Sequence, residues 1–255
     1  MTTDAEPFDA DDADDADDAA DAGDAVEAGW PAKRREVVQD ALAVGLAVGT
    51  YGISYGALGT TSGLSVVQTC ALSVLAFTGG SQFALIGVLG SGGAAASGMA
   101  TALMLGFRNL LYGLRLEPML DVRGARRFSA AQLVIDETTA MSISQPETRA
   151  ARLAFWTTGL TIYTLWNLAT LVGALGASAL GDPKRFGLDA AVGAAFLGLL
   201  WPRLKHVTTW SVAIGAAVVA LVLTPFLSPG VPVLVAGLVA VAVGIARPQA
   251  AEEVS

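Results

Sequence analysis

The sequence has little of the chemistry on which many enzymes and secreted proteins depend. It holds one cysteine, Cys70, and one histidine, His206, in 255 residues. A single cysteine excludes an intramolecular disulfide and a sulfur-rich metal site. The sequence also lacks a glycine-rich nucleotide-binding loop, so ATP is not the expected energy source and no cofactor is predicted.

Charged residues are scarce, at 15% of the chain, where an ordinary soluble domain carries about 25%. Residues 1–29 hold 12 of the 23 acidic residues and no Lys or Arg. This acidic start lacks the basic and apolar regions of a secretory signal peptide. Its Asp/Ala repeat buries little surface and repels itself, which predicts a disordered cytoplasmic tail. Heavy use of Asp, with only three lysines in the chain, suggests the hydrated acidic surface of a halophile.

Long charge-free runs dominate the rest of the chain. They cover residues 41–107, 153–181 and 207–246, whereas one membrane-spanning helix needs about 20 residues. We therefore predict an all-α polytopic integral membrane protein with about six to eight membrane segments. Its transmembrane domain is predicted at residues 30–247, followed by a short polar tail at residues 248–255.

The positions of Lys and Arg predict how the segments cross the cell membrane. Lys33, Arg34 and Arg35 precede the first apolar run and predict a cytoplasmic N-terminus. Three full crossings before residue 118 would leave the basic residues at positions 115–127 outside, against the positive-inside rule. One passage is therefore predicted to be re-entrant. Two stretches fit, a polar and glycine-rich break at residues 77–83 and the polar stretch at residues 128–144.

A stripe of glycines marks the first predicted helix. Gly45, Gly49, Gly52, Gly56, Gly59 and Gly63 recur at spacings of four and three. This spacing predicts that all six lie on one helical face and allow close approach of another helix.

Five motifs occur in an order that resembles a known family. They are Gly52-Ile53-Ser54-Tyr55-Gly56-Ala57-Leu58, Phe77-Thr78-Gly79-Gly80-Ser81-Gln82-Phe83, Arg108-Asn109-Leu110-Leu111-Tyr112-Gly113, Asp136-Glu137-Thr138, and Leu180-Gly181-Asp182-Pro183 with Phe186-Gly187-Leu188-Asp189. From about residue 37 to residue 245, the chain resembles the AzlC family, the large subunit of branched-chain amino acid permeases. The resemblance implies export of valine, leucine and isoleucine with a small AzlD-type membrane subunit.

One departure from the family pattern concerns the residues around Arg108. The family commonly has Asn-x-Arg-His there, whereas this chain has Gly106-Phe107-Arg108-Asn109. The arginine is retained, and any role of a titrating histidine at this position does not transfer to Asn109. Ion-gradient coupling is the default expectation, with protons and sodium both open.

The break at residues 77–83 is also suited to bind a zwitterion. The half-helix that begins there directs free N–H groups at a carboxylate, and the half-helix that ends there offers carbonyls to an ammonium group. Arg108 lies in an apolar run, where it either pairs with a carboxylate such as Asp136 or Glu137 or extends to the headgroups at the nearby cytoplasmic end. These two carboxylates are adjacent, so at most one is expected to enter the cavity.

The predicted site residues form two groups. Those predicted to bind substrate are Phe77, Gly79, Gly80, Ser81, Gln82, Tyr112, Trp166 and Asn167. Those predicted to gate the path or couple ions are Arg108, Asn109, Asp136 and Glu137. The small amino acid, the AzlD-type subunit and the lipid bilayer are the expected partners, and nucleic acid is not. A channel, a membrane scaffold and an intramembrane serine hydrolase using Ser81 and His206 remain alternatives to this non-enzymatic carrier.

Overall fold

The computed structural model describes residues 11–179, 197, 200–201, 204–205, 207–227 and 231–246. Its regular elements are helices, and these residues contain no strand, which confirms the all-α prediction for this part of the chain. The helices are α1 (Asp11–Gly49), α2 (Tyr51–Thr61), α3 (Val66–Leu75), α4 (Gly79–Gly90), α5 (Ala95–Leu120), α6 (Arg126–Gln132), α7 (Asp136–Ile143), α8 (Thr148–Ala179), α9 (Val207–Leu223) and α10 (Val231–Ala246). The motifs at residues 180–189, His206 and the polar tail at residues 248–255 lie outside the described residues.

Helix α1 begins at Asp11, within the segment predicted to be disordered. Alanine has a high helix propensity, and acidic side chains near a helix N-terminus interact favourably with the helix dipole. Two helical stretches are long and apolar enough to cross a membrane by length and composition: Ala28–Thr61, which runs through α1 and α2, and Thr148–Ala179, which is α8. The total of six to eight membrane segments stays a prediction.

Glycines let α1 and α2 pack closely along α8. A Cβ added at Gly45, Gly49, Gly52 or Gly56 would overlap with Thr161, Leu165, Trp166 or Thr170, respectively. The residue numbers rise together on both sides of this contact, so α8 runs parallel to α1 and α2. An even number of chain reversals must therefore lie between α2 and α8.

The predicted glycine face is confirmed for these four residues and is wrong for the other two. A turn at Thr50 separates α1 from α2. Gly59 packs against Thr69 of α3 instead of α8. Gly63 lies beyond α2 with φ +96°, a conformation that glycine adopts without steric cost. The stripe is thus divided between two helix contacts and a turn.

Helices α3 and α4 form a hairpin of two half-helices, here called the first hairpin. Ser65 caps α3, because its hydroxyl accepts from the Gln68 N–H while the Gln68 side chain accepts from the Ser65 N–H. The start of α3 contacts the end of α2 at Gly59, and Gly90 at the end of α4 lies beside Ser62. Both outer ends therefore lie at the same level, and residues 76–78 form the tip, which overlaps the break predicted at residues 77–83.

Helices α6 and α7 form a second hairpin that enters from the opposite end of α8. Arg127 at the start of α6 pairs with Glu117 near the end of α5 at 2.9 Å. Met141 near the end of α7 packs against a cluster that includes Ala150 in the first turn of α8. The tip lies at residues 133–135, where Leu133 packs against Gly159. The polar stretch at residues 128–144 is thus also a broken helix.

The tips of the two hairpins meet beside the middle of α8. The Phe77 ring lies 5.0 Å from the Tyr163 ring of α8, one helical turn from Gly159, which contacts the second tip. Gln132 at the end of α6 donates to the Val74 carbonyl of α3 at 2.7 Å, which ties the two hairpins together directly.

Candidate functional site

A cavity of about 270 Å³ lies where the two hairpin tips meet. Pockets for drug-sized ligands occupy about 300–1,000 Å³, so this volume suits a smaller molecule. The cavity is bounded by the N-terminal turns of α4 and α7, the middle of α5 and the middle of α8. Its lining residues are Val48, Tyr51, Phe77, Thr78, Gly79, Gly80, Phe83, Leu105, Arg108, Asn109, Ile135, Asp136, Glu137, Ile162, Trp166 and Leu200.

Eight of the residues predicted from the sequence line this cavity. They are Phe77, Gly79, Gly80 and Trp166 from the substrate-binding group, and Arg108, Asn109, Asp136 and Glu137 from the gating group. The other four predicted residues, Ser81, Gln82, Tyr112 and Asn167, do not contribute to its wall. Residues more than 80 positions apart in the sequence are therefore brought around one cavity.

Arg108 pairs with Asp136 on the cavity wall. Arg108 Nη2 lies 2.9 Å from Asp136 Oδ2, and the two side chains are 31% and 20% exposed. Asp136 is the first residue of α7, where the helix dipole favours a negative charge. A charge in an apolar stretch of a membrane helix is costly without a partner, and Asp136 is the partner that the sequence predicts for Arg108.

Both adjacent carboxylates line the cavity, so the prediction that only one would enter it is wrong. Asp136 and Glu137 lie in the first turn of α7, and Ile135 before them is extended, with φ −132° and ψ 174°. No preceding helical turn covers this end of α7. Adjacent residues at an open N-terminus can therefore border the same cavity, which they could not do in the middle of a helix.

The N-terminus of α4 supplies free amide groups at the cavity. The Gln82 N–H is the first to bond within the helix, to the Thr78 carbonyl at 3.1 Å, so the amides of Gly79, Gly80 and Ser81 lack intrahelical partners. Thr78 makes no side-chain cap, and among the described residues its buried hydroxyl has no hydrogen-bond partner. The α4 amides and this hydroxyl are therefore available to a ligand.

The two glycines of this turn allow cationic and aromatic groups to approach the helix end. A Cβ added at Gly80 would lie 3.1 Å from Arg108 Nη2, and one added at Gly79 would lie 3.1 Å from Trp166 Cη2. Both distances are shorter than ordinary carbon contacts. The guanidinium and the positive end of the α4 dipole thus converge, an arrangement that favours a bound anion.

The carbonyl end of α3 is already occupied by side chains, contrary to the prediction that it would receive an ammonium group. Gln82 is 3% exposed, and its Nε2 donates to the carbonyls of Leu72 and Ala76 at 3.1 and 2.8 Å. The Val74 carbonyl accepts from Gln132 Nε2 at 2.7 Å and from the Tyr163 hydroxyl at 3.2 Å. Side chains from three helices therefore cap α3.

Gln82 acts as a structural link between the tip and α8. Its Oε1 accepts from Trp166 Nε1 at 3.1 Å, while its Nε2 caps α3. The Trp166 ring stacks on Tyr55 at 6.0 Å and meets Phe83 edge to face at 6.2 Å. These contacts hold Trp166 in place as one aromatic wall of the cavity.

The three remaining predicted residues serve the packing around the site. Ser81 is 8% exposed, and its Oγ faces α5 at Gly106. Asn167 donates to the Tyr163 carbonyl one turn back in α8 at 2.8 Å. Tyr112 packs against the main hydrophobic core. The Ser81 hydroxyl thus faces a neighbouring helix, and the Asn167 amide bonds within its own helix.

The aliphatic wall, together with Tyr51, Thr78 and Phe83, is the part of the cavity lining that is absent from the predicted site residues. Val48, Leu105, Ile135, Ile162 and Leu200 come from five separate segments and border the cavity. Each is an aliphatic residue in an apolar stretch, which cannot be distinguished by sequence from a core residue or a lipid-facing one. Together they give the cavity a surface that suits an aliphatic side chain.

Comparisons with known proteins identify a family model and a relative that is a membrane protein. A family model described as AzlC protein matches residues 43–180. An "Uncharacterized membrane protein" of Archaeoglobus fulgidus is 31% identical over 182 residues, which are 70% of this chain and 80% of that protein. No solved structure matches the chain. The matched region contains both hairpins and α8.

Proposed function

Since the chain belongs to the AzlC family of membrane proteins, which is associated with branched-chain amino acid transport, we propose that it is a secondary transporter subunit exporting valine, leucine and isoleucine. Methionine is a further candidate substrate. The observation that carries this proposal is the cavity between the two hairpin tips, which is lined by charged groups and by aliphatic side chains.

The surface of the helices supports a location in the lipid bilayer. Large apolar side chains point outward along α5 and α8, among them Leu103, Phe107, Leu114, Leu168 and Val172, each more than half exposed. Soluble monomers rarely expose such continuous apolar surface. In this setting the hairpins are re-entrant segments, and their broken backbones are buried in protein or line the cavity, as a membrane requires.

The distribution of basic residues supports a cytoplasmic N-terminus in the cell membrane. Arg149 at the start of α8 lies 4.0 Å from the Trp30 ring of α1, and Arg152 donates to the Met119 carbonyl near the end of α5. The part of α1 around Trp30, the end of α5 and the start of α8 thus share one side. The basic residues at positions 33–35, 115–127 and 149–152 therefore lie together, and such clusters face the cytoplasm.

The cavity offers partners for each part of an aliphatic amino acid. Its carboxylate fits the α4 amides, the Thr78 hydroxyl and Arg108, because an anion is favoured at a helix N-terminus. Its side chain fits the wall formed by Leu105, Ile135 and Ile162. Alternating access would then open this midplane site to each side of the membrane in turn, by movement around the hairpin tips.

The proposal includes a small AzlD-type membrane subunit as partner and no enzymatic activity. The outward apolar faces of α5 and α8 are available to such a subunit or to lipid. The hydrolase alternative finds no support at Ser81, because its hydroxyl faces Gly106 away from the cavity. An ion gradient is the proposed energy source.

Counterflow in proteoliposomes tests this proposal. Vesicles loaded with unlabelled L-valine, containing the protein with and without a co-expressed small subunit, are expected to accumulate labelled valine with saturable kinetics. Unlabelled leucine and isoleucine are expected to compete, whereas lysine and glutamate are not. If valine, leucine, isoleucine and methionine all fail to exchange even with the subunit present, the proposed function is wrong.

A further inference from the structure

One wall of the cavity already contains the two opposite charges that a zwitterion would need as partners. Arg108 Nη2 lies 2.9 Å from Asp136 Oδ2, and the same nitrogen lies 3.1 Å from the position of a Cβ at Gly80. The cation is therefore shared between the N-terminal turns of α4 and α7. Without a ligand, the two side chains neutralise each other across the meeting point of the hairpins.

The ammonium group of a substrate needs an acceptor other than α3. The carbonyls at the end of α3 accept from Gln82, Gln132 and Tyr163, so binding there would displace capping hydrogen bonds. The carboxylates on the cavity wall belong to Asp136 and Glu137. Asp136 is the one joined to Arg108, and it lies next to the proposed carboxylate position.

We propose, on the premise of the amino acid transport above, that a bound amino acid replaces the Arg108–Asp136 ion pair. The substrate carboxylate takes Arg108 and the α4 amides, and the α-ammonium group takes Asp136. Each charge exchanges one ionic partner for another, so neither is left without an ionic partner in the cavity wall, which would be unfavourable at membrane depth. Because Asp136 needs a positive partner once Arg108 has left it, a substrate must carry an α-ammonium group to bind.

This exchange defines the substrate class as free α-amino acid zwitterions. A ligand with a single charge would separate Arg108 from Asp136 but would pair with only one of these two side chains. The keto acid 3-methyl-2-oxobutanoate keeps the carboxylate and branched chain of valine and lacks the ammonium group. Isobutylamine keeps the ammonium group and the branched chain and lacks the carboxylate. Neither is expected to occupy the site.

Competition against labelled valine in the wild-type protein is the first test. The keto acid and the amine are each expected to compete about 30-fold more weakly than unlabelled valine, since each loses a charged hydrogen-bonding partner. Competition by either compound at a concentration within about threefold of that needed for valine would overturn the inference. This arm uses no variant, so it does not depend on how well a variant folds.

The double variant Arg108→Gln/Asp136→Asn separates a binding role from a structural one. Valine binding, measured by equilibrium dialysis in detergent, is expected to weaken at least about 10-fold in Asp136→Asn, in Arg108→Gln and in the double variant. If the pair only supports the fold, the double variant leaves no unpaired charge and is expected to recover binding. Recovery of valine affinity in the double variant to within about twofold of wild type would overturn the inference. Loss of valine binding in Glu137→Gln, with no loss in Asp136→Asn, would also overturn it.

Glu117 and Arg127 provide the matched control. They form an ion pair of the same 2.9 Å length with side chains 59% and 60% exposed, away from the cavity, so Glu117→Gln/Arg127→Gln is expected to bind valine like wild type. Failure of the wild-type protein to exchange any amino acid would remove both the proposed function and this inference. Valine exchange that is unchanged in Asp136→Asn would remove the inference alone.

Discussion

Replacing Gly80 with leucine is expected to abolish valine counterflow. The added Cβ would already lie 3.1 Å from Arg108 Nη2 and 3.5 Å from Leu105 Cδ2, and the rest of the leucine side chain would occupy the cavity at the α4 amides. The guanidinium would be displaced from the helix end, and a carboxylate could no longer approach it. Initial rates of labelled valine uptake are expected to fall at least about 100-fold, to the level of empty vesicles.

Gly176→Leu is the matched control for this result. Gly176 also lies in a helix, and nothing lies within 4 Å of a Cβ built there, so valine uptake is expected to stay near the wild-type rate. Both variants must elute as monodisperse species before reconstitution. Uptake by Gly80→Leu at more than about half the wild-type rate would show that the α4 N-terminus is not on the substrate path.

Replacing Gly56 or Gly173 with alanine is expected to lower the free energy of unfolding far more than the same replacement at Gly176. The Cβ added at Gly56 would overlap with the Thr170 carbonyl oxygen, and the one added at Gly173 would overlap with the Ile53 carbonyl oxygen. Both neighbours are backbone atoms, which cannot move away by changing rotamer. The helices α2 and α8 must separate, at a cost of about 1–3 kcal/mol or more.

Thermal unfolding in detergent measures this effect. Each substitution is expected to lower Tm by about 5 °C or more. The double variant Gly56→Ala/Gly173→Ala is expected to lower Tm by less than the sum of the two single decreases, because one separation of the helices relieves both overlaps. Gly176→Ala on the same helix is expected to keep or raise Tm, since alanine favours a helix over glycine by about 0.5–1 kcal/mol. A fall in Tm at Gly176→Ala as large as at Gly173→Ala would contradict this account of the α2–α8 contact.

The helical class, the two broken segments and the charged part of the site could be predicted from the sequence. Charged side chains, and backbone groups freed by a helix break, are costly in a membrane unless they face protein or a cavity. That cost made Gly79, Gly80, Arg108 and Asp136 recognisable as candidates. All four line the cavity.

The remaining features depend on contacts between distant segments. The sequence shows that Gln82 is polar, but not that its amide caps α3 while accepting from Trp166. It likewise cannot show which of many aliphatic residues, such as Ile162, border the cavity. The break in the glycine stripe at Thr50 also depends on tertiary packing, because the spacing of the glycines alone is compatible with one straight helix.

Protection of a cavity cysteine by valine tests the central claim most directly. The single native cysteine is removed as Cys70→Ser, and Val48→Cys then introduces a thiol on the cavity wall, with Ser178→Cys as an exposed control outside it. L-valine, but not lysine, is expected to slow alkylation of Cys at position 48 by N-ethylmaleimide at least about fivefold, with no effect at position 178. Equal alkylation rates at position 48 with and without saturating valine, in protein that exchanges valine, would contradict a substrate site between the hairpin tips.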